Sequence, residues 1–85
     1  MSSPTLLTGK KILIIDDEEL IREVASMMVE EEGGIPLQAE GPLKALEIIV
    51  GENLDCILCD FSMPEMTGVE LFKKVREIRP EIPFI

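Results

Sequence analysis

Two aliphatic runs in this chain end in carboxylates: Ile12-Leu13-Ile14-Ile15 runs into Asp16-Asp17, and Leu54-Asp55-Cys56-Ile57-Leu58-Cys59 runs into Asp60. Aliphatic runs without polar alternation suit parallel strands covered on both faces, and ligands of such sheets bind beyond the strands' carboxyl ends. The three carboxylates are therefore expected to converge. Like charges gathered in one place raise one another's pKa unless a cation offsets the repulsion. Mg2+ suits the task, because it is hard, prefers oxygen, and takes one or two carboxylates while waters and phosphate oxygens complete its octahedron. A single Asp at a strand end is usually solvated or caps the next helix. Two such ends in one short chain point instead to a cation and phosphoryl site.

The elements that must position these groups are legible from periodicity. A leader, residues 1–9, has no period, and the first strand is expected over Lys11 to Asp16. Leu20, Ile21, Val24, Met27 and Met28 then recur at helical spacing, with Glu18 placed to pair with Arg22 at i,i+4 and Gly33-Gly34 as the stop. Met27 and Met28 read as core filler. The row Glu30-Glu31-Glu32 sits at that helix's C-terminus, where the macrodipole disfavours negative charge. A second strand is expected over Ile35 to Ala39, with Pro36 marking a sheet edge because it lacks a ladder donor. Pro42 opens a helix that carries Leu43, Leu46, Ile49 and Val50 inward as far as Gly51. The third strand spans Leu54 to Cys59. After a loop, Thr67-Gly68-Val69-Glu70 reads as a capping box for a helix with a stripe of Val69, Phe72, Val75 and Ile78, and Ile82-Pro83-Phe84-Ile85 begins a fourth strand. Strands alternating with helices indicate a parallel, doubly wound α/β sheet.

Composition narrows the function classes. With 85 residues the chain makes one small domain, and 46% hydrophobic residues suffice for a core that must be aliphatic, since Trp and Tyr are absent. A net charge of -9 argues against direct binding to nucleic acid or to anionic lipid, both of which need basic patches. No stretch approaches the ~20 apolar residues of a membrane span, and the leader lacks the basic start of a signal peptide. Cys56 and Cys59 form a C-x-x-C spacing, but residues three apart on a strand face opposite ways and a zinc site would need further ligands in a chain without His. Two such thiols suit core positions in a reducing cytoplasm.

Lys11-Ile12-Leu13-Ile14-Ile15-Asp16-Asp17-Glu18, together with Asp60-Phe61-Ser62-Met63-Pro64-Glu65-Met66-Thr67-Gly68, resembles the acidic pair and phosphoacceptor loop of the receiver domains of two-component response regulators, the CheY-like family. The similarity runs over residues 10–85. It implies a flavodoxin-like sheet, incomplete here, of about four strands in the order 2-1-3-4 with three helices. It further implies that Asp60 accepts a phosphoryl group from a sensor histidine kinase or phosphotransfer protein in a phosphorelay. Mg2+ would be bound by Asp17 directly, by Asp16 largely through water, by Asp60, and by the backbone carbonyl of Ser62. Such a domain is a phosphoacceptor rather than a turnover enzyme.

Receiver domains also place a Ser or Thr after strand four and a Lys after strand five. The chain stops at Ile85 before either, so it reads as truncated and poorly active in phosphotransfer. Lys10 and Lys11 start the first strand, about 17 Å from its acidic end at ~3.3 Å per residue, and cannot substitute. A phosphatase of the haloacid dehalogenase type would need an Asp where Ser62 stands, and no glycine-rich nucleotide motif follows any strand. The competing expectation is a receiver-derived assembly module that oligomerises without phosphotransfer, a homodimer formed through the surfaces that truncation exposes.

Overall fold

A computed structural model describes residues 7–60 and 68–85. The element order is β1 (Lys11–Ile15), α1 (Glu19–Glu31), β2 (Ile35–Ala39), α2 (Pro42–Gly51), β3 (Cys56–Cys59) and α3 (Gly68–Ile78). The strands pair in parallel in the order β2-β1-β3, with Leu13 opposite Leu37 on one side and Ile57 on the other. β1 is central because its four aliphatic residues can be covered on both faces, and none of Ile12, Leu13, Ile14 or Ile15 is more than 4% exposed. Beyond β3 the chain begins a fourth strand: Ile57 bridges Phe84 in parallel, the Ile57 N–H donates to Pro83 O at 2.9 Å, and the Ile85 N–H donates to Ile57 O at 2.7 Å. The three strands take the order 2-1-3 of the expected 2-1-3-4, and the single bridge at Phe84 stands where the fourth strand was expected.

The two sheet faces are covered unequally. Ten buried residues, among them Leu13, Ile15, Ala45, Ile49, Ile57, Leu71 and Val75, make the larger core under α2 and α3. Among the described residues the hydrophobic cluster on the α1 face has three buried members, Ile12, Ile14 and Val29, with Leu7, Ala25, Cys56 and Leu58 packed partly against them. Phe72 of α3 meets Phe84 edge-on at 5.2 Å between ring centroids, docking α3 against the fourth strand. Arg79 ties the end of α2, donating from Nη1 to Ile49 O at 3.2 Å and to Glu52 O at 3.4 Å, where a cation also suits the helix C-terminus.

Several side chains face other ways than periodicity suggested. Leu20, Ile21, Val24, Met27 and Met28 of α1 are all exposed, Met27 and Met28 at 60% and 62%, so neither is core filler. The buried positions of α1 are Ser26 and Val29. In α2 the buried residues are Pro42, Ala45 and Ile49, while Leu43 and Val50 are exposed. In α3 Leu71 and Val75 enter the core while Val69 and Ile78 stay exposed. A helix in a thin domain can bury only a narrow stripe, and the small or central residues of each stripe take the sheet contact. The capping box depends on Thr67, which lies outside the described residues.

The end of α1 is built as expected from Gly33-Gly34. Gly33 adopts φ +84 and donates to Glu30 O at 3.0 Å, and the Gly34 N–H donates to Val29 O at 2.9 Å. Leu7 and Gly9 tie the preceding segment to the same corner through bonds of 3.1 Å to Glu32 O and Gly33 O.

Candidate functional site

Adjacent parallel strands deliver the acids to one edge. The Asp60 N–H donates to Ile15 O at 2.9 Å, and the Asp16 N–H donates to Ala39 O at 3.2 Å, so the sheet ladder runs into the carboxylate positions themselves. Asp16 and Asp60, both half-buried, line one cavity of about 390 Å³ with Ile14, Ile21, Leu58 and Ile85. Asp17 is exposed beside it. Asp16, Asp17 and Glu18 each offer an oxygen, and these atoms lie within 4.8 Å of one another. Ser62 and the rest of the Phe61–Thr67 segment lie outside the described residues.

The local backbone explains the clustering. Asp16 turns its Oδ1 back to accept the Glu18 N–H at 2.9 Å, an Asx-type turn that bends the chain between β1 and α1 and brings three consecutive carboxylates to one side. Arg22 secures the same turn from the first part of α1: its Nη1 donates to Asp16 O at 2.7 Å and its Nε to Gln38 Oε1 at 3.2 Å. The expected Glu18–Arg22 side-chain pair is therefore replaced by a clamp from Arg22 across β1 to β2, which leaves the Glu18 carboxylate at the acidic cluster. Neither role was anticipated from the sequence.

Cys59 reports the field of these acids. Burial first, then the charges of Asp60 and Asp16, push its thiol from an ordinary 9.0 up to about 11, and its Sγ donates to Asp60 O at 3.2 Å. Burial likewise raises Cys56. Cys56 packs toward the α1 face and Cys59 toward the larger core, as expected of thiols three residues apart on a strand.

The clustered oxygens of Asp16, Asp17 and Glu18 suit a hard divalent ion in chemistry, and Asp16 also lines the cavity with Asp60, whose carboxylate is not among those clustered within 4.8 Å. Lys11 is confirmed as remote: its Nζ pairs with Glu52 Oε1 at 3.2 Å and its N–H donates to Asp55 Oδ2, both at the opposite end of the sheet.

Residues 12–85 match the family described as the response regulator receiver domain. The chain belongs to that family. It is 38% identical over 81 residues to the phosphate regulon transcriptional regulatory protein PhoB of Pseudomonas aeruginosa, covering 93% of this chain and 35% of that protein. The response regulator TrrA of Thermotoga maritima, solved in complex with Mg(2+)-BeF, superposes with a TM-score of 0.85 at 32% identity over 88% of this chain and 65% of that one. The complex of TrrA with the histidine kinase ThkA gives a TM-score of 0.83 at the same identity and coverage. The chain thus spans about a third of the length of the PhoB relative and under two thirds of TrrA. This receiver domain has the CheY-like flavodoxin fold. Among the described residues, no helix is long and apolar enough to cross a membrane.

Proposed function

We propose that Asp60 is the phosphoacceptor of this receiver domain, working with a Mg2+ ion held by Asp16, Asp17, Asp60 and the Ser62 carbonyl. The observation that carries the reading is the shared cavity of Asp16 and Asp60 at the carboxyl ends of two adjacent strands. A carboxylate oxygen of Asp60 attacks the phosphorus of a phosphohistidine on a sensor kinase or phosphotransfer protein, the P–N bond breaks, and its electron pair leaves on the imidazole. When bound, the ion supplies charge neutralisation for the incoming dianion. Asp16 fixes the turn that presents Asp17, and Arg22 holds that turn through Asp16 O. The domain acts once per phosphoryl group, as a signalling acceptor in the cytoplasm rather than a turnover enzyme, and residues 10–85 carry the receiver domain, with Leu7 and Gly9 of the preceding segment tied to its α1–β2 corner.

Among the described residues that line the cavity, none is Ser, Thr or Lys. Losing one preorganised contact to developing charge commonly costs ~10² to 10³ in rate, so the 85-residue polypeptide by itself is expected to label slowly. Acetyl phosphate labelling with Mg2+, followed by peptide mapping in a mass spectrometer, tests the assignment. A slow label confined to Asp60 and lost in Asp60→Asn supports it. A label of equal yield in Asp60→Asn would sink it.

A second reading, an assembly module that dimerises, is favoured by the exposed apolar row Leu20, Ile21, Val24, Met28 on α1. Sedimentation equilibrium at micromolar concentration separates the two. A dimer that Val24→Glu dissociates supports assembly through α1, whereas a monomer at all concentrations removes it.

A further inference from the structure

Arg22 stands one helical turn beyond Glu18, half-buried, with the carboxylates of Asp16, Asp17 and Glu18 clustered in the turn that precedes it. A guanidinium so placed would ordinarily pair with one of them. Among the described residues Arg22 is in no ion pair. Its donors go instead to two neutral oxygens, Nη1 to the backbone carbonyl of Asp16 at 2.7 Å and Nε to Oε1 of Gln38 at 3.2 Å. Gln38 lies on β2, opposite Ile14 of β1. Asp16 is held at two further points, because its N–H donates to Ala39 O at 3.2 Å and its Oδ1 accepts the Glu18 N–H at 2.9 Å. Two of these three ties lead to β2, one directly through Ala39 and one through Arg22 and Gln38.

We infer that Arg22, braced by Gln38, is a positioning residue for the cation site, a strut from β2 that sets how tightly the acidic turn binds Mg2+. The inference rests on the proposed reading of Asp16 and Asp17 as cation ligands. Because the peptide unit is planar, a bond to Asp16 O fixes the plane that joins Asp16 to Asp17, and with it the direction in which the Asp17 side chain leaves the backbone. An acidic turn without a brace splays, since its carboxylates repel one another when no ion offsets them. Holding it closed before the ion arrives removes an ordering cost from binding. The neutrality of the acceptors matters as well. A guanidinium paired with Asp17 or Glu18 would compete with the ion for the same carboxylate, whereas one bonded to a carbonyl braces the turn and leaves the carboxylates to the metal. Charge and position then make opposite predictions. A fixed positive charge beside a cation site repels the ion, so removing Arg22 for its charge alone would tighten Mg2+ binding. Removing the strut loosens it.

The test is the Mg2+ dissociation constant of the isotope-labelled 85-residue chain, read from amide NMR shifts of residues 16–18 at constant ionic strength and well below the melting temperature. A purely structural role would move the melting temperature and leave this constant alone. Arg22→Met should weaken Mg2+ binding about tenfold, as loss of an outer contact to a metal ligand commonly does, and Gln38→Ala by a smaller factor. The Gln38→Ala effect should disappear in the Arg22→Met background, because the two residues act through one chain of bonds. Arg76→Met removes the same charge from the last turn of α3 and should not weaken binding. Far-ultraviolet circular dichroism establishes that each variant is folded. Gln38 is exposed, so Gln38→Ala decides the matter should Arg22→Met not fold, and an unchanged constant in it then overturns the inference. A constant for Arg22→Met equal to or tighter than that of the unaltered chain overturns it too, while loss of binding in Asp17→Asn would leave the cation site itself standing. Equal weakening by Arg76→Met, or a Gln38→Ala effect undiminished in the Arg22→Met background, also overturns it. No saturable shift from the unaltered chain removes the inference and the cation site together.

Discussion

Cys59 is a built-in probe of the carboxylates it adjoins. Its thiol is held protonated by burial and by the charges of Asp60 and Asp16, up to about 11 from an ordinary 9.0. The folded pKa is raised, so the stability this group contributes is fully present below pH 9 and is lost as pH rises through about 11. Two outcomes follow in a Cys56→Ala background. Iodoacetamide should alkylate Cys59 slowly at pH 8, because the thiolate is the nucleophile, and Asp60→Asn should lower the thiol pKa and speed the reaction. An unchanged alkylation profile in Asp60→Asn would mean that Asp60 does not face Cys59. At this scale the acids themselves were legible, because a strand's end is marked by the residue at which an aliphatic run stops. The Arg22 clamp was not, since a guanidinium that bonds a backbone carbonyl across a turn leaves no periodic signature.

The bounds of β2 and α2 followed from local chemistry, whereas β3 begins at Cys56 rather than Leu54 and β1 ends at Ile15 rather than Asp16, and the burial of the helices did not follow. β2 spans Ile35–Ala39 and α2 spans Pro42–Gly51, each as expected, because Pro, Gly and β-branched residues act through φ and hydrogen bonding of their own backbone. Which helical face meets the sheet depends on the other layers, so Met27, Leu43 and Val69, apolar and periodic, are nonetheless exposed. The sharpest elemental prediction concerns the α1–β2 corner. A Cβ at Gly34 would lie 2.6 Å from Val29 Cγ1 and 3.2 Å from Leu7 Cβ, in the thin core under α1. Gly34→Ala should cost about 1–3 kcal/mol in urea unfolding. Gly51, by contrast, ends α2 with open space around it, and Gly51→Ala should gain about 0.5–1 kcal/mol from helix propensity. If both variants melt alike, the close approach at Gly34 is absent in solution.

For the whole molecule the dominant fact is charge. A net charge of -9 on 85 residues repels itself, and three carboxylates share one turn at the sheet edge. A divalent ion that binds the folded chain stabilises it by mass action, by about 2.7 kcal/mol at 100 times its dissociation constant. MgCl2 should therefore raise the melting temperature beyond NaCl of equal ionic strength. Asp17→Asn should reduce the response to that of NaCl, and a full Mg2+ response in this variant would place the ion elsewhere. The fold class was readable because three strand-helix units alternate along the chain. The imbalance, among the described residues, between ten buried hydrophobic residues in one cluster and three in the other was not, because it depends on how the layers meet.

The central claim is that Asp16, Asp17 and Asp60 form one Mg2+-dependent phosphoryl site. Fluorine NMR of the chain with beryllofluoride tests it most directly, because a phosphoryl analogue binds at equilibrium and does not wait on slow chemistry. Bound fluoride resonances should appear only with Mg2+ and should vanish in both Asp60→Asn and Asp17→Asn. Bound resonances without Mg2+, or in Asp60→Asn, or none from the unaltered chain at saturating beryllofluoride and Mg2+, would contradict it.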